Sequence, residues 1–377
     1  EGIIKLYHAF NKETGAVTKA VADDIVQCCE TVVNMEDKFI DLAFEMGPVN
    51  GMTPDDIKAY IRFIADWRLR QLQLPEVHGV TENPLPWREL PTGEALCQQV
   101  VQKGVDPREV LPIPTHSEHD NGPYITAGLV IARNPKTGAQ NVSINRIQVH
   151  SKERMAILML PRHLWAFYKE AEARQQPLDV AVVIGVDPLT LQASQAIAPL
   201  DCDELEIAGA LHGAPLRVVK CLTNDVRVPA DAEVVIEGRI LPGVKELEGP
   251  FGEFPKYYSA REHREVIQVD AITHRRDPVF HTIVPAEMEH LLLGSIPREA
   301  TLLAHLQRSF PNVLDVHLSI GGVGRYHLFV KIRKTHEGQP KNVICAAFGA
   351  HYDIKQVVVV DDDVEVHDPL QVEWAVA

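Results

Sequence analysis

Between residues 17 and 46 apolar side chains recur every three or four positions, at Val21, Ile25, Cys28, Val32, Met35, Phe39 and Leu42, with no proline inside the run and Gly47-Pro48 after it. That spacing predicts one long amphipathic helix. Thr53-Pro54-Asp55-Asp56 then offers an N-cap, a proline at the first helical position and two acids in the first turn. A second helix is expected through Ile61, Ile64 and Leu69 to about residue 73. Asn83-Pro-Leu-Pro-Trp87 closes the hairpin in extended backbone. From about residue 95 the period shortens to two. Residues 125–133 and 141–150 flank the turn Asn134-Pro-Lys-Thr-Gly138 and read as a β-hairpin with alternating strands. Further β-rich stretches fall at 155–160, 180–184, 216–221, 233–237, 265–273 and 279–283, with helical stretches at about 163–175, 188–196 and 202–210. From Pro297 the order is helix 299–309, strand 313–319, strand 326–333, helix 341–351 and strand 356–360. The expected fold class is α+β: a helical hairpin over 1–90, a domain built on antiparallel strands over 91–295, and the start of an α/β domain over 296–377.

Length and composition narrow the function. A chain of 377 residues is long for one core, and 45% hydrophobic with 24% charged residues is an ordinary globular balance. The longest apolar runs, such as Gln356-Val-Val-Val-Val360, are far shorter than a membrane span. A net charge of −15 without a Lys/Arg cluster argues against nucleic acid as a partner. Six cysteines without Cys-x-x-Cys spacing read as reduced, packed thiols of a cytoplasmic protein. The chain opens at Glu1 with no signal-peptide pattern and closes inside Val372-Glu-Trp-Ala-Val-Ala377, which reads as a fragment at both ends.

Candidate chemistry concentrates in a few places. Glu248-Gly-Pro-Phe-Gly-Glu253 sets two carboxylates on a turn whose proline fixes one φ and whose glycines permit tight or left-handed backbone. Both acids can be aimed into one cavity, where the charge of one helps the other keep a proton. The plainer alternative is a surface turn with two solvated glutamates. In Asn141-Val-Ser-Ile-Asn-Arg146 alternation puts Asn141, Ser143 and Asn145 on one face and Arg146 on the other, unless the strand bends. His163, after Leu160-Pro161, and Glu204, in Asp201-Cys-Asp-Glu204, join Asn141 as candidate ligands of Mn²⁺ or Mg²⁺. Taken singly, they are a helix-start histidine and an acid complementing a helix dipole. Weaker signals are Asp361-Asp-Asp363, a metal site or a solvated strand end; Glu287-x-x-His290, with ligand spacing but no second pair; the polar loop His116, His119, Asp120; and His281.

Six motifs stand in a family's order: Leu111-Pro-Ile-Pro-Thr-His116, Tyr124-Ile-Thr126, the Asn141 to Arg146 strand, Val219-Lys-Cys-Leu-Thr-Asn224, the Glu248 to Glu253 turn and Asp361-Asp-Asp-Val364. On them, residues 95–377 resemble the UbiD family of prenylated-flavin-dependent decarboxylases. The resemblance implies a split β-barrel flavin-binding domain followed by an α/β domain, with prenylated FMN and Mn²⁺ as cofactors and K⁺ as a further candidate ion. It implies that Asn141, His163 and Glu204 hold a Mn²⁺ that also grips the flavin phosphate. Ile144, Asn145 and Arg146 would pass beside the flavin, with Thr126 and Ser143 near its phosphate. Arg146, Glu248 and Glu253 would form a Glu-Arg-Glu network, Glu253 protonating the carbon that CO₂ leaves. The implied reaction is reversible, non-oxidative decarboxylation of an aromatic or α,β-unsaturated acid, with a flavin prenyltransferase supplying the cofactor. Homo-oligomers, and a lysine from a C-terminal portion beyond Ala377, also belong to the family pattern. Chemistry agrees, because a carbanion on an sp² carbon needs an electron sink that no side chain supplies. A metal bridging phosphate and protein also accounts for the lack of a Gly-x-Gly-x-x-Gly loop. The alternatives are a catalytically inactive flavin-binding scaffold or a truncated fusion chain.

Residues 1–88 carry a second resemblance. Met35-Glu-Asp-Lys-Phe-Ile-Asp-Leu-Ala-Phe-Glu-Met46, Tyr60-Ile-Arg-Phe-Ile-Ala-Asp66 and Asn83-Pro-Leu-Pro-Trp87 resemble the C-terminal helices of a ribonucleotide reductase small subunit. The Glu-x-x-His pairs of that enzyme's di-iron site are missing from 1–88, so neither Tyr7 nor Tyr60 is assigned as a radical tyrosine. A helical appendage, or a module that docks a reductase large subunit, is what remains.

Overall fold

The computed structural model describes Gly79 and residues 81–377, so the helices expected between 17 and 73 lie outside the described residues. Twelve strands come first: β1 (Arg88–Leu90), β2 (Val100–Gln102), β3 (Tyr124–Ile125), β4 (Leu129–Arg133), β5 (Gln140–Ile144), β6 (Ile147–Val149), β7 (Arg154–Ile157), β8 (Leu178–Ile184), β9 (Arg217–Lys220), β10 (Arg227–Pro229), β11 (Val234–Glu248) and β12 (Glu262–His274). Among them lie the helices α1 (His163–Ala173), α2 (Pro188–Ala193) and α3 (Glu204–His212). The chain continues through α4 (Met288–Ser309), β13 (Val313–Leu318), β14 (His327–Ile332), α5 (Gln339–Ala350), β15 (Gln356–Val360) and α6 (Pro369–Val376). Nine strands form an antiparallel sheet in the order β3-β6-β7-β12-β11-β8-β4-β5, with β2 beside β12. β1-β9-β10 and β13-β14-β15 are smaller sheets, the latter packed by α4 and α5.

The apolar runs of β4, β8 and β11 are buried on both faces. Val130, Val180, Val182, Val234 and Ile236 enter one cluster with Leu164, Phe167 and Tyr168 of α1. Their alternates Leu129, Ile131, Ala181, Val183 and Val235 enter a second with Leu205, Val218 and Val219. Period-two side-chain direction turns each near-continuous run into two core layers.

The sheet must curl, for a reason of chain length. β5 stands at one edge and β6 next to the other, six strand spacings away, roughly 29 Å if the sheet were flat. Yet only Asn145 and Arg146 lie between Ile144 and Ile147, and three Cα steps reach at most about 11 Å. The two ends therefore meet as a half-barrel, and Asn145-Arg146 crosses the seam. Asn145 Nδ2 donates to Leu158 O at 3.0 Å, and Leu158 N donates to Arg146 O at 3.3 Å.

Several expectations are corrected by these contacts. The hairpin about Asn134 is present, pairing Leu129 with Ile144 through Arg133 with Gln140, but its second strand stops at Ile144 and residues 147–149 pair with β3 and β7. Residues 279–283 form no strand: Val279 N donates to Glu233 Oε2 at 3.1 Å and Ile283 N to Thr126 Oγ1 at 3.0 Å, side chains taking the place of a ladder. The strand expected at 233–237 runs on to Glu248. The helix expected from 299 begins at Met288 and passes through Pro297. Proline removes the bond to the carbonyl four residues back, that of Leu293, and Gln192 Nε2 reaches that oxygen at 3.5 Å instead. Among the described residues the four cysteines are free, and burial pushes the Cys97 thiol up to about 12. No described helix is long and apolar enough to cross a membrane.

Candidate active site

β11 ends by delivering Glu248 into the barrel, and the chain then turns sharply. Gly249 adopts φ +91°, and a Cβ there would lie 2.8 Å from Ala260 O, so only glycine fits. The Gly249-Pro250 peptide is cis. The loop that follows is fastened at several points. Gly252 N donates to Asp120 Oδ1 at 2.8 Å, Asn121 N to Pro250 O at 3.0 Å, and Phe251 N to Ser259 Oγ at 3.1 Å.

The seam-crossing Arg146 stands between the two acids. Its Nε and Nη2 donate to Glu248 Oε1 and Oε2 at 3.0 and 2.8 Å, and its Nη1 pairs with Glu253 Oε1. A guanidinium fork thus separates the carboxylates, correcting the picture of two acids sharing one cavity directly. Their environments differ. The Glu248 side chain is 0% exposed and that of Glu253 29%, with Arg146 at 9%. Glu248 takes a third hydrogen bond, from Tyr124 Oη at 3.0 Å. Tyr124 and Gln148, cross-strand neighbours on β3 and β6, both accept from Gly249 N at 3.1 Å. Burial, then the charge of Glu248, pushes the Tyr124 phenol well up, so it remains a donor. The Phe251 ring lies 5.4 Å from the Arg146 guanidinium carbon and 4.4 Å from the Tyr124 ring, closing the apolar side. Tyr124 and Gln148 are site residues that sequence reasoning did not assign; the Tyr124-Ile-Thr126 motif was the available signal.

A second cluster lies where α3 meets β5. Asn141 Nδ2 donates to Glu204 Oε1 at 2.9 Å and Val142 N to Glu204 Oε2 at 2.6 Å. Burial pushes the Glu204 carboxyl up to about 8, against those two hydrogen bonds. Asn141 Oδ1 is buried with no partner. A hard cation answers both observations, giving the orphaned oxygen a ligand and the buried carboxylate a counter-charge, so the residues fit a divalent metal. His163 opens α1, which also packs on β5. Burial, then Arg162, holds its imidazole below the usual range, in the neutral form that binds metals. No hydrogen bond joins His163 to Asn141 or Glu204 among the described residues. Asp203, the N-cap of α3, is fixed by Trp87 Nε1 at 3.0 Å and so orients the turn that carries Glu204.

The other singled-out residues divide. Ser143 Oγ donates to Asn145 Oδ1 at 2.9 Å, and Ile144 ends β5 opposite Leu129. Thr126 Oγ1 lies 3.0 Å from Thr282 Oγ1 and 3.3 Å from His116 Nε2. His119 packs against Tyr258 at 5.3 Å and His281 pairs with Glu289 at 3.0 Å. Asp361 and Asp362 face Lys334 and Arg333, the pattern of a solvated strand end.

The chain also resembles known proteins. Residues 88–288 match the family model of the 3-octaprenyl-4-hydroxybenzoate carboxy-lyase Rift-related domain (UbiD), and residues 291–377 match that enzyme's C-terminal domain. Residues 1–84 match the ribonucleotide reductase small chain. The chain is 43% identical over 267 residues to the anhydromevalonate phosphate decarboxylase of Methanothermobacter thermautotrophicus, covering 71% of this chain and 63% of that protein. The solved structure of an evolved dimeric form of the UbiD-class enzyme HmfF from Pelotomaculum thermopropionicum, in complex with prFMN, is 51% identical, with a TM-score of 0.79 over 81% of this chain and 72% of that one. Apo 3,4-dihydroxybenzoic acid decarboxylase (AroY) of Klebsiella pneumoniae superposes with a TM-score of 0.77 at 28% identity, over 81% of this chain and 67% of that one.

Proposed function

We propose, from the premise that this chain belongs to the UbiD family, that it is a prenylated-FMN-dependent carboxy-lyase removing CO₂ from an aromatic or α,β-unsaturated acid. The chain spans 63% of the length of its Methanothermobacter relative, and the activity is proposed for the protein to which this segment belongs. The asymmetric Glu248-Arg146-Glu253 array carries the reading. Glu248, sealed and held by three donors, keeps the guanidinium in one orientation. Arg146 presents its remaining edge toward Glu253 and the open side, where a substrate carboxylate can be held. The Glu253 side chain pairs with Arg146 alone among the described residues and reaches solvent, so it can deliver a proton to carbon and be recharged afterwards. Prenylated FMN, when bound, supplies the electron sink for the carbon that loses CO₂. Asn141 Oδ1, His163 and Glu204 are the groups that would hold Mn²⁺, with Thr126, Ser143, Ile144, Asn145 and Arg146 lining the flavin. The half-barrel around them is the split-barrel form expected for such a cofactor. HmfF, whose structure was solved in complex with prFMN, lends the cofactor assignment support.

Glu253→Gln removes the proton without changing shape. In protein co-expressed with a flavin prenyltransferase, the variant is expected to keep the absorbance of bound flavin while CO₂ release falls by about 10²-fold or more. Undiminished release would refute the role of Glu253. Wild-type protein that holds flavin and releases no CO₂ from any acid would favour the scaffold reading.

A further inference from the structure

Far along the chain from the acid corner, one tripeptide pattern, an acid, a valine and a histidine, occurs twice. Asp315-Val316-His317 lies on β13 and Glu365-Val366-His367 in the loop between β15 and α6. Both valines are fully buried. On β13, alternation sends Asp315 and His317 to the face of the strand opposite Val316. Val366 packs with Phe329, Val360 and Val372, and Phe329 is the cross-strand partner of His317. The loop is therefore laid over the face that carries Asp315 and His317, and the two tripeptides meet. One donor atom each of Asp315, Glu365 and His367 lies within 4.8 Å of the other two. His367 Nε2 is 3.1 Å from Asp315 Oδ2, and the His317 and His367 rings lie 4.7 Å apart. The surroundings orient these groups. Glu299 of α4, buried, accepts from Leu318 N at 2.6 Å and lies 3.0 Å from His317 Nδ1. A carboxylate that holds the proton on Nδ1 leaves the lone pair of a neutral imidazole on Nε2, the arrangement found behind metal-bound histidines. Among the described residues that Nε2 makes no hydrogen bond. Glu365 Oε1 accepts from His367 N at 3.0 Å, which ties the acid to its histidine. An ion pair between His367 and Asp315 pins the loop by itself, but it leaves two carboxylates facing one imidazole and a second imidazole oriented for no partner.

We propose that Asp315, His317, Glu365 and His367 form a binding site for a divalent transition-metal cation of the zinc class, with Glu299 orienting His317. The site is separate from Asn141, His163 and Glu204 and does not depend on the decarboxylase reading. Two imidazole nitrogens and two carboxylate oxygens suit Zn²⁺, which takes four such donors, whereas Mg²⁺ prefers oxygen alone. Two ligands of one tetrahedral zinc stand about 3.3 Å apart, close to the separation of His367 Nε2 and Asp315 Oδ2. The ion takes the place of the proton between those two groups and clamps the loop onto β13, a structural role.

The test uses the full chain without a histidine tag, stripped of metal with EDTA and then freed of the chelator, with ZnCl₂ and MgCl₂ as probes in calorimetric titrations. Zn²⁺ is expected to bind with a dissociation constant of about 10 μM or tighter, and Mg²⁺ at least about 100-fold more weakly. His367→Gln and Glu365→Gln should each weaken the zinc event about tenfold or more. Glu204→Gln, which removes a candidate ligand of the other cluster, should leave that event in place. Circular dichroism checks the fold of each variant. Glu365 is half exposed, so Glu365→Gln keeps the test open if His367→Gln misfolds. Saturating ZnCl₂ should also raise the thermal midpoint of wild type and of Glu204→Gln, but not that of His367→Gln. Absence of zinc binding to wild type, or an event that survives both His367→Gln and Glu365→Gln, would overturn the proposal. So would an event lost only in folded Glu204→Gln, which would place the ion beside Asn141, and so would Mg²⁺ binding as tightly as Zn²⁺.

Discussion

Replacing Arg146 by methionine tests the asymmetry of the acid corner directly. In the variant Glu248 remains fully buried but keeps only Tyr124 as a side-chain donor, at 3.0 Å, and has no counter-charge. Breaking a buried pair in this way costs about 3–5 kcal/mol. Removing both charges in Arg146→Met/Glu248→Leu leaves apolar groups of similar size in an apolar setting beside Phe251 and is expected to lie within about 1 kcal/mol of wild type. The two sites should thus show a coupling of at least about 2 kcal/mol. Glu253→Gln breaks a contact made by a partly exposed acid and should cost about 1 kcal/mol or less. Urea unfolding of the flavin-free wild type, Arg146→Met, Glu248→Leu, the double variant and Glu253→Gln at pH 7, followed by circular dichroism, measures all five species. If the double variant were as unstable as the sum of its single changes, Glu248 would not be the sealed anchor inferred above.

Three further outcomes follow from the same coordinates. Gly249→Ala forces a side chain into left-handed backbone and against Ala260 O; a loss of about 2 kcal/mol in the same urea assay is expected, and wild-type stability would contradict it. His290 is held down to about 4, by burial first and Arg325 second, with Glu289 opposing. Its folded value lies below its unfolded one, so it contributes stability above about pH 6.5 that is lost as pH falls to about 4, amounting to about 3 kcal/mol. His290→Gln should flatten that limb of the stability–pH curve, and an unchanged slope would rule the histidine out. Gln192→Ala leaves the Leu293 carbonyl in α4 without its donor and should lower stability by about 1 kcal/mol, seen as a lower thermal midpoint.

Local pattern foretold the strands that fill both core layers, because runs such as Leu129-Val-Ile-Ala132 and Val180-Ala-Val-Val183 carry their burial in their composition. It misread places where distant side chains replace a local bond. Pro297 looked like a helix start because no local signal reveals that Gln192, on another helix, will satisfy the carbonyl that proline abandons. Residues 279–283 looked like a strand because their apolar content cannot show that Glu233 and Thr126 take their amides. Motif order singled out Arg146, Glu248 and Glu253, which the fold brings together. Tyr124 and Gln148 stayed invisible because their partnership with Glu248 exists only once β3 and β6 pair. Of the three candidate metal ligands, Asn141 and Glu204 meet through a hydrogen bond, a pairing of β5 with the start of α3 that no local pattern displays.

Asn145 and Arg146, stretched across the seam, leave chain length no tolerance between β5 and β6. A single extra residue inserted there would swing the guanidinium out of reach of its anchor, whereas the turn from Asn134 to Gly138 exposes its tip, Pro135, Lys136 and Thr137, to solvent, where a tag or a fused domain adds chain outside the core. Gene-splicing experiments on this scaffold should therefore cut at the turn and leave the two-residue tether untouched.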